Sequence, residues 1–232
     1  MRKYNKLNLL GLGPNAKLRT LYKNQFIKLT PIQKDLLVGI LLGDGYIFTK
    51  NKGKTFGIKF EWGFNSYLYI NKVYNVLYDY IYQPPKLYTR INVNGNIVKT
   101  WRMETFSSTI FNELGFLFLD DKFKKHIKPD LIINHLSPIS LAYWYMDDGG
   151  RAYYKNKRSL TDKACILNTQ GFKVNEVELL IKELNIKYDL DCFLSFNHKK
   201  PIIYIPSKSY IKLYKLINPF ILPLFRYKLP SI

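Results

Sequence analysis

Hydrophobic positions along the chain fall into helix-like and strand-like periods, and the order of those periods occurs twice. Thr30-Pro31-Ile32-Gln33 has the form of a helix start: Thr as N-cap, Pro at the first position, and Gln closing a capping box. Leu36, Leu37, Ile40 and Leu41 then keep helical spacing up to Gly43-Asp44-Gly45. Strand-like stretches follow. In the second, Phe56, Ile58, Phe60 and Trp62 alternate with Thr55, Gly57, Lys59 and Glu61, the two-residue period of a half-buried strand. Tyr67, Ile70, Val73, Tyr74, Leu77 and Ile81 return to helical spacing before Pro84-Pro85. Lys86–Val93 and Ile97–Phe106 flank Asn94-Gly95, a strong hairpin signal, and a short helix from Ser107 or Ser108 ends near Gly115.

The second half has the same order. Ser137-Pro138 opens a helix that ends at Asp147-Asp148-Gly149-Gly150. Strands are predicted at Arg151–Tyr154 and Ala164–Thr169, and a helix at Val174–Leu184. A hairpin is predicted from Cys192–Asn197 and Pro201–Ile205, and a last helix at Ser209–Ile217. Each half therefore reads helix, two strands, helix, two strands, helix: an α+β fold built as a repeat of αββαββα. The expected organisation is an arm at 1–29 with one short helix, a first half at 30–125 and a second at 126–232.

Charge narrows the partner. The 232 residues carry 36 Lys+Arg against 17 Asp+Glu, a formal charge of +19. The basic residues are spread over the whole chain, so the folded surface itself is basic and a polyanion is the expected partner. Nucleic acid leads, because phosphates reward Lys and Arg by releasing counterions. The plainer alternative is a basic ribosomal or structural protein. No apolar run approaches the roughly 18 residues of a membrane span, so no membrane partner is expected. Cys165 and Cys192 are too few for a disulfide scaffold or a four-cysteine zinc site and read as small buried hydrophobes. His126, His135 and His198 read as solvated or core histidines. The abundance of Lys, Asn, Ile and Tyr fits AT-rich codons and an organellar or other AT-rich genome.

The chemical oddity lies at the ends of the two opening helices. A helix C-terminus carries partial negative charge, so an Asp there is unfavourable by about 0.3–1 kcal/mol. Both helices nevertheless end in Asp followed by Gly, with Gly45 and Gly149 read as C-terminal caps. Gly39 and Gly43 on the first helix, and Ser140 and Ala142 on the second, would let the two backbones approach closely. Side-by-side packing would then bring Asp44 and Asp148 to one end. Two adjacent carboxylates demand a proton or a divalent cation between them, and hard oxygen ligands suit Mg²⁺. A metal beside a basic, phosphate-binding surface is the arrangement of phosphodiester hydrolysis.

Leu37-Val38-Gly39-Ile40-Leu41-Leu42-Gly43-Asp44-Gly45 resembles the LAGLIDADG motif, and Leu141-Ala142-Tyr143-Trp144-Tyr145-Met146-Asp147-Asp148-Gly149 resembles a second copy. The resemblance to the two-motif homing endonucleases extends over nearly the whole chain. It implies a monomeric, pseudo-twofold, mitochondrially encoded enzyme whose two curved antiparallel sheets form a saddle over double-stranded DNA. It also implies cleavage of both strands at an intron-insertion site, leaving 3′ overhangs. By position, Asp44 and Asp148 are the metal-binding catalytic acids, with the carbonyls of Gly43 and Asp147 as further ligands. Lys125 and Lys228 match the family's basic residues near the two active sites, although Lys122, Lys124 and Lys128 crowd the first of them. Leu42 departs from the acid in the family's spelling, at a position that is mostly structural. Mg²⁺ is the implied cofactor, with Mn²⁺ as a substitute.

The outward polar strand residues are the implied DNA readers. In the first half these are Lys50, Lys54, Lys59, Glu61, Arg90, Asn92, Asn94, Asn96 and Lys99. In the second they are Arg151, Tyr153, Lys155, Asn168, Gln170, Ser195, Asn197 and Lys199. Arg and Lys can address guanine, and Asn and Gln adenine, while many such residues touch only phosphate. Two alternatives stay open: a maturase that binds group I intron RNA, and a catalytically silent DNA-binding protein on the same scaffold.

Overall fold

The computed structural model describes residues 4–9, 11–13, 16–152 and 163–231. Tyr153 and Lys155, both expected DNA readers, lie outside the described residues. Contacts group the chain into two compact units, Met1–Lys34 with Asp44–Phe116, and Asp35–Gly43 with Leu117–Ile232. The first motif helix thus runs from one unit into the other.

Leading into and through the first unit are α1 (Lys17–Asn24), α2 (Pro31–Leu42), β1 (Tyr46–Phe48), β2 (Gly57–Gly63), α3 (Tyr67–Val76), β3 (Lys86–Ile91), β4 (Ile97–Glu104) and α4 (Asn112–Phe118). The capping box at Thr30 forms as expected: Gln33 N donates to Thr30 Oγ1 (3.3 Å) and Thr30 N to Gln33 Oε1 (3.0 Å). The strands make one antiparallel sheet in the order β1-β2-β4-β3. Ile58, Phe60, Trp62 and Met103 turn to the core with Tyr69, Ile70 and Val73 of α3. The opposite face carries Tyr46, Lys59, Glu61, Arg102 and Glu104. The Asn94-Gly95 turn is built as the sequence suggested. Gly95 takes φ +78, and Asn92 Oδ1 accepts from the Asn94 and Asn96 N–H groups at 3.0 and 2.9 Å.

The second unit adds α5 (Leu131–His135), α6 (Pro138–Asp148), β5 (Gly149–Arg151), β6 (Cys165–Leu167), α7 (Val174–Tyr188), β7 (Phe193–Asn197), β8 (Lys200–Ile205) and α8 (Tyr210–Ile217). A 3₁₀ segment, Pro223–Lys228, follows. The sheet order β5-β6-β8-β7 repeats that of the first sheet, antiparallel throughout. The repeat αββαββα read from the sequence is therefore present in both sheets. Cys165 and Cys192 are buried and not joined in a disulfide, and burial, with Asp191 nearby, pushes the Cys192 thiol up to about 12.

Two features differ from the sequence reading. First, α5 has no periodic signature and is organised from a distance. The buried Glu183 carboxylate of α7 accepts N–H groups from Asp130 (2.6 Å) and Ile132 (2.7 Å), filling the role of a cap. Second, Gly149 is not a left-handed cap. Its φ is −75 and ψ 155, and the chain passes straight into β5. Gly is required there for space, because a Cβ would lie 2.4 Å from the Tyr145 ring and carbonyl. Gly45 is likewise absent from the positive-φ residues.

Candidate active site and nucleic-acid interface

Leu36–Leu42 and Ser140–Met146 are buried without interruption, so both motif helices are apolar on all sides. Residues 35–43 pack directly on α6. A Cβ on Gly39 would lie 2.2 Å from the Ser140 carbonyl oxygen and 2.8 Å from Tyr143 Cβ. One on Gly43 would lie 2.6 Å from Asp147 Cβ. The close backbone approach expected at Gly39, Gly43 and Ser140 is there, with Tyr143 rather than Ala142 as the second neighbour of Gly39. Ser137 caps α6, its Oγ accepting from Ser140 N at 3.1 Å. Burial, with Asp147 nearby, pushes the Tyr143 phenol up to about 12, so it remains a hydroxyl.

Each motif helix ends on a carbonyl held by a lysine from elsewhere in the chain. Lys125 Nζ donates to Gly43 O at 3.1 Å. Lys228 Nζ donates to Asp147 O at 2.9 Å and to Met146 O at 2.5 Å. The Gly43 and Asp147 carbonyls immediately precede Asp44, which is exposed, and Asp148, which is half-buried. An ammonium at a helix C-terminus offsets the negative end of the dipole, which the acids alone would aggravate. Among the crowded lysines, Lys125 reaches the helix end, while Lys122 and Lys124 are exposed.

Local structure selects Lys125. Asp120 Oδ1 accepts from Lys122 N (2.9 Å) and Lys124 N (2.8 Å), closing a tight loop with Phe123 at φ +56. Leu119 and Lys125 then bridge across it. The next two residues are tied to the start of α7. Glu176 Oε1 lies 2.7 Å from His126 Nδ1 and accepts from Ile127 N at 3.0 Å, while its Oε2 accepts from Lys173 N at 2.8 Å. Burial opposes ionisation of Glu176, but these bonds outweigh it and hold the carboxyl below its usual value. On the other side, the Tyr145 hydroxyl donates to the Lys228 carbonyl at 3.0 Å and so fixes the segment carrying that lysine. Sequence reasoning missed Asp120, Glu176 and Tyr145 in these roles. An Asp two residues before a Lys-rich loop was the only available signal.

The expected DNA readers fall into distinct places. Lys50, Lys59 and Glu61 line one concavity of about 770 Å³ on the open face of the first sheet, together with Lys86, Tyr88 and Arg102. The ammonium groups of Lys50 and Lys59 lie 5.4 and 5.0 Å from the Phe48 ring, and Arg102 pairs with Glu61 at 2.8 Å. Arg102 was legible in the strand alternation, since it shares a face with Glu104 between Trp101 and Met103. Arg90 pairs with Val98 and Lys99 with Thr89, which puts them on opposite faces of the overhanging hairpin. Lys54, Asn94 and Asn96 are exposed, whereas the Asn92 side-chain oxygen is used to build the turn.

In the second sheet, Ser195 and Asn197 share the face of Ile166 and Tyr204, and Lys199 is exposed in the β7–β8 turn at φ +64. Arg151 pairs with the buried Cys165, which places it on the core-facing side rather than the outward one. Gln170 is half-buried, with Nε2 at 3.4 Å from Asn168 Oδ1. Asn168 also serves the helix end, its Nδ2 donating to the Asp148 carbonyl at 2.9 Å.

Comparisons with known proteins fit this arrangement. The chain matches the LAGLIDADG DNA endonuclease family over residues 34–213. It is similar to a probable intron-encoded endonuclease of Wickerhamomyces canadensis, 48% identical over 97% of this chain and 95% of that protein. It is also similar to cytochrome b mRNA maturase bI2 of Debaryomyces hansenii, 33% identical over 86% of this chain and 75% of that protein. Among solved structures, the homing endonuclease I-WcaI bound to its DNA recognition sequence matches with a TM-score of 0.91 at 48% identity, covering 98% of this chain and 99% of that chain.

Proposed function

Because the chain belongs to the LAGLIDADG DNA endonuclease family, we propose that it is a site-specific, divalent-metal-dependent enzyme that cuts both strands of duplex DNA at an intron-insertion site. The observation that carries this reading is the matched pair of helix ends, each with an acid behind a carbonyl that a distant lysine holds. It works as a single chain, its parts being the arm 1–29 and the halves 30–125 and 126–232. Relatives named intron-encoded endonuclease and cytochrome b mRNA maturase support an organelle-encoded, mitochondrial origin.

The donor set fits a hard divalent cation, since the carboxylates of Asp44 and Asp148 and the carbonyls of Gly43 and Asp147 are all oxygen. A carbonyl oxygen has two lone pairs, so accepting a lysine N–H leaves one for a cation. Mg²⁺ suits this set, with Mn²⁺ as a substitute. When bound, the cation polarises a phosphoryl oxygen and makes a coordinated water more acidic. Asp44 and Asp148 hold that charge at the helix ends. Lys125 and Lys228 orient the attacking water and offset the charge that builds on the phosphate. The basic face of the first sheet, with Lys50 and Lys59, binds and positions the duplex.

With Mg²⁺, the purified chain is expected to linearise a plasmid carrying its intronless insertion sequence, and with EDTA to leave it intact. A plasmid left whole in Mg²⁺ sinks the reading. A second reading, as an intron RNA maturase, draws on the similarity to bI2. It predicts intron binding and assisted splicing that survive Asp44→Asn.

A further inference from the structure

The arm helix α1 has no part in the reading above, yet it forms one wall of the concavity on the first sheet. Arg19 and Lys23 line that concavity together with Lys50, Lys59, Lys86 and Arg102. We propose that α1 is a phosphate-binding wall, with Arg19 and Lys23 gripping the sugar–phosphate backbone of the duplex beside the bases that the first sheet faces. The proposal rests on the endonuclease reading and extends its DNA interface to an element outside the repeat.

Three observations carry it. The two cations are four residues apart and so lie on one side of the helix, a turn from each other. The helix is also fixed in place. Tyr22 is buried, its hydroxyl donates to Asp79 O at 2.9 Å, and its ring meets Phe26 and Phe106 edge-on at 5.2 and 6.2 Å. The cations themselves are held, with the Arg19 guanidinium 4.5 Å over the Tyr82 ring and Lys23 Nζ 3.5 Å from the Ser107 carbonyl. Cations whose positions are already restricted lose less entropy on meeting a ligand.

Charge then names the occupant. Residues 1–29 contain seven Lys and Arg and no Asp or Glu, the first acid being Asp35. Within the concavity, six cations face two carboxylates, Glu61 and Glu104, and Glu61 is paired with Arg102 at 2.8 Å. A surplus of this sign on an open concave surface suits an extended polyanion, and Arg and Lys on a fixed helix suit phosphate contacts that set register without reading sequence.

The test is the salt dependence of binding to a duplex carrying the insertion sequence, measured by fluorescence anisotropy with Ca²⁺ in place of Mg²⁺. Each lost phosphate contact lowers the slope of log K against log salt by about 0.9. Arg19→Gln/Lys23→Gln is expected to lower the slope by about 1.8 and to weaken binding by about tenfold or more near 0.1 M salt. Arg19→Lys/Lys23→Arg keeps the charges and is expected to keep the slope. Lys182→Gln/Lys215→Gln removes the same charge from exposed positions on α7 and α8 and is expected to change neither quantity. An unchanged slope in the first variant, or an equal drop in the α7/α8 variant, overturns the wall while leaving the endonuclease reading intact. A wild-type chain that binds no duplex overturns both.

Discussion

At the end of α2, the Gly43 carbonyl takes one N–H from Lys125; at the end of α6, the Asp147 and Met146 carbonyls take N–H groups from Lys228. The lysines reach these equivalent places by different routes. Lys125 stands on a tight loop closed by the Asp120 carboxylate and tied to α7 by Glu176. Lys228 ends a 3₁₀ segment whose carbonyl is pinned by Tyr145 of the same motif helix. A duplicated element can drift in how it supports a side chain while the charged end point stays fixed.

Removing the two lysines one at a time is expected to have the largest effect. Lys125→Met and Lys228→Met are each expected to slow single-turnover cleavage by about 10²–10³-fold, the usual loss for one donor to developing charge. Strand-resolved gels check it, and a large loss in one variant beside no loss in the other would end the equivalence of the two helix ends.

A smaller effect concerns the contact between the helices. Gly39→Ala puts a methyl 2.2 Å from the Ser140 carbonyl, so backbone must shift. Overpacking of this kind costs about 1–3 kcal/mol, readable in urea unfolding. An unaltered midpoint would mean that the helices do not depend on this approach.

The smallest effect sharpens the difference in support. Glu176 has a folded pKa below its ordinary value, so its contribution to stability is fully present above about pH 4.5 and is lost as pH falls through the folded value. Glu176→Gln is expected to flatten the loss of stability in that acid window and to slow cleavage at neutral pH by loosening Lys125. Acid unfolding that is identical in the two proteins would remove Glu176 from this role.

Much of the fold was legible because periodicity and punctuation are local. The Thr30 capping box, the alternation through β2, the Asn94-Gly95 turn and the doubled Asp-Gly helix ends each lie within a few residues of sequence. The supports were not legible, because they join side chains to backbone groups about fifty or more residues away, as Glu176 does to Ile127, Glu183 to Ile132 and Tyr145 to Lys228. Such bonds leave no period. Asn168 shows the same limit from the other side: its residue type suggests base reading, and nothing local announces that its amide also donates to the Asp148 carbonyl. Gly149 was legible as a necessary glycine, though the reason was crowding by Tyr145 and not a left-handed turn.

The most direct test of the account is cleavage by Asp44→Asn and Asp148→Asn, assayed with Mg²⁺ on the insertion sequence alongside binding. Each is expected to lose double-strand cleavage while its affinity for the duplex stays within about tenfold, as proposed for charges that serve the scissile phosphate and not the grip on the duplex. Double-strand cutting by either variant at the wild-type rate would contradict it.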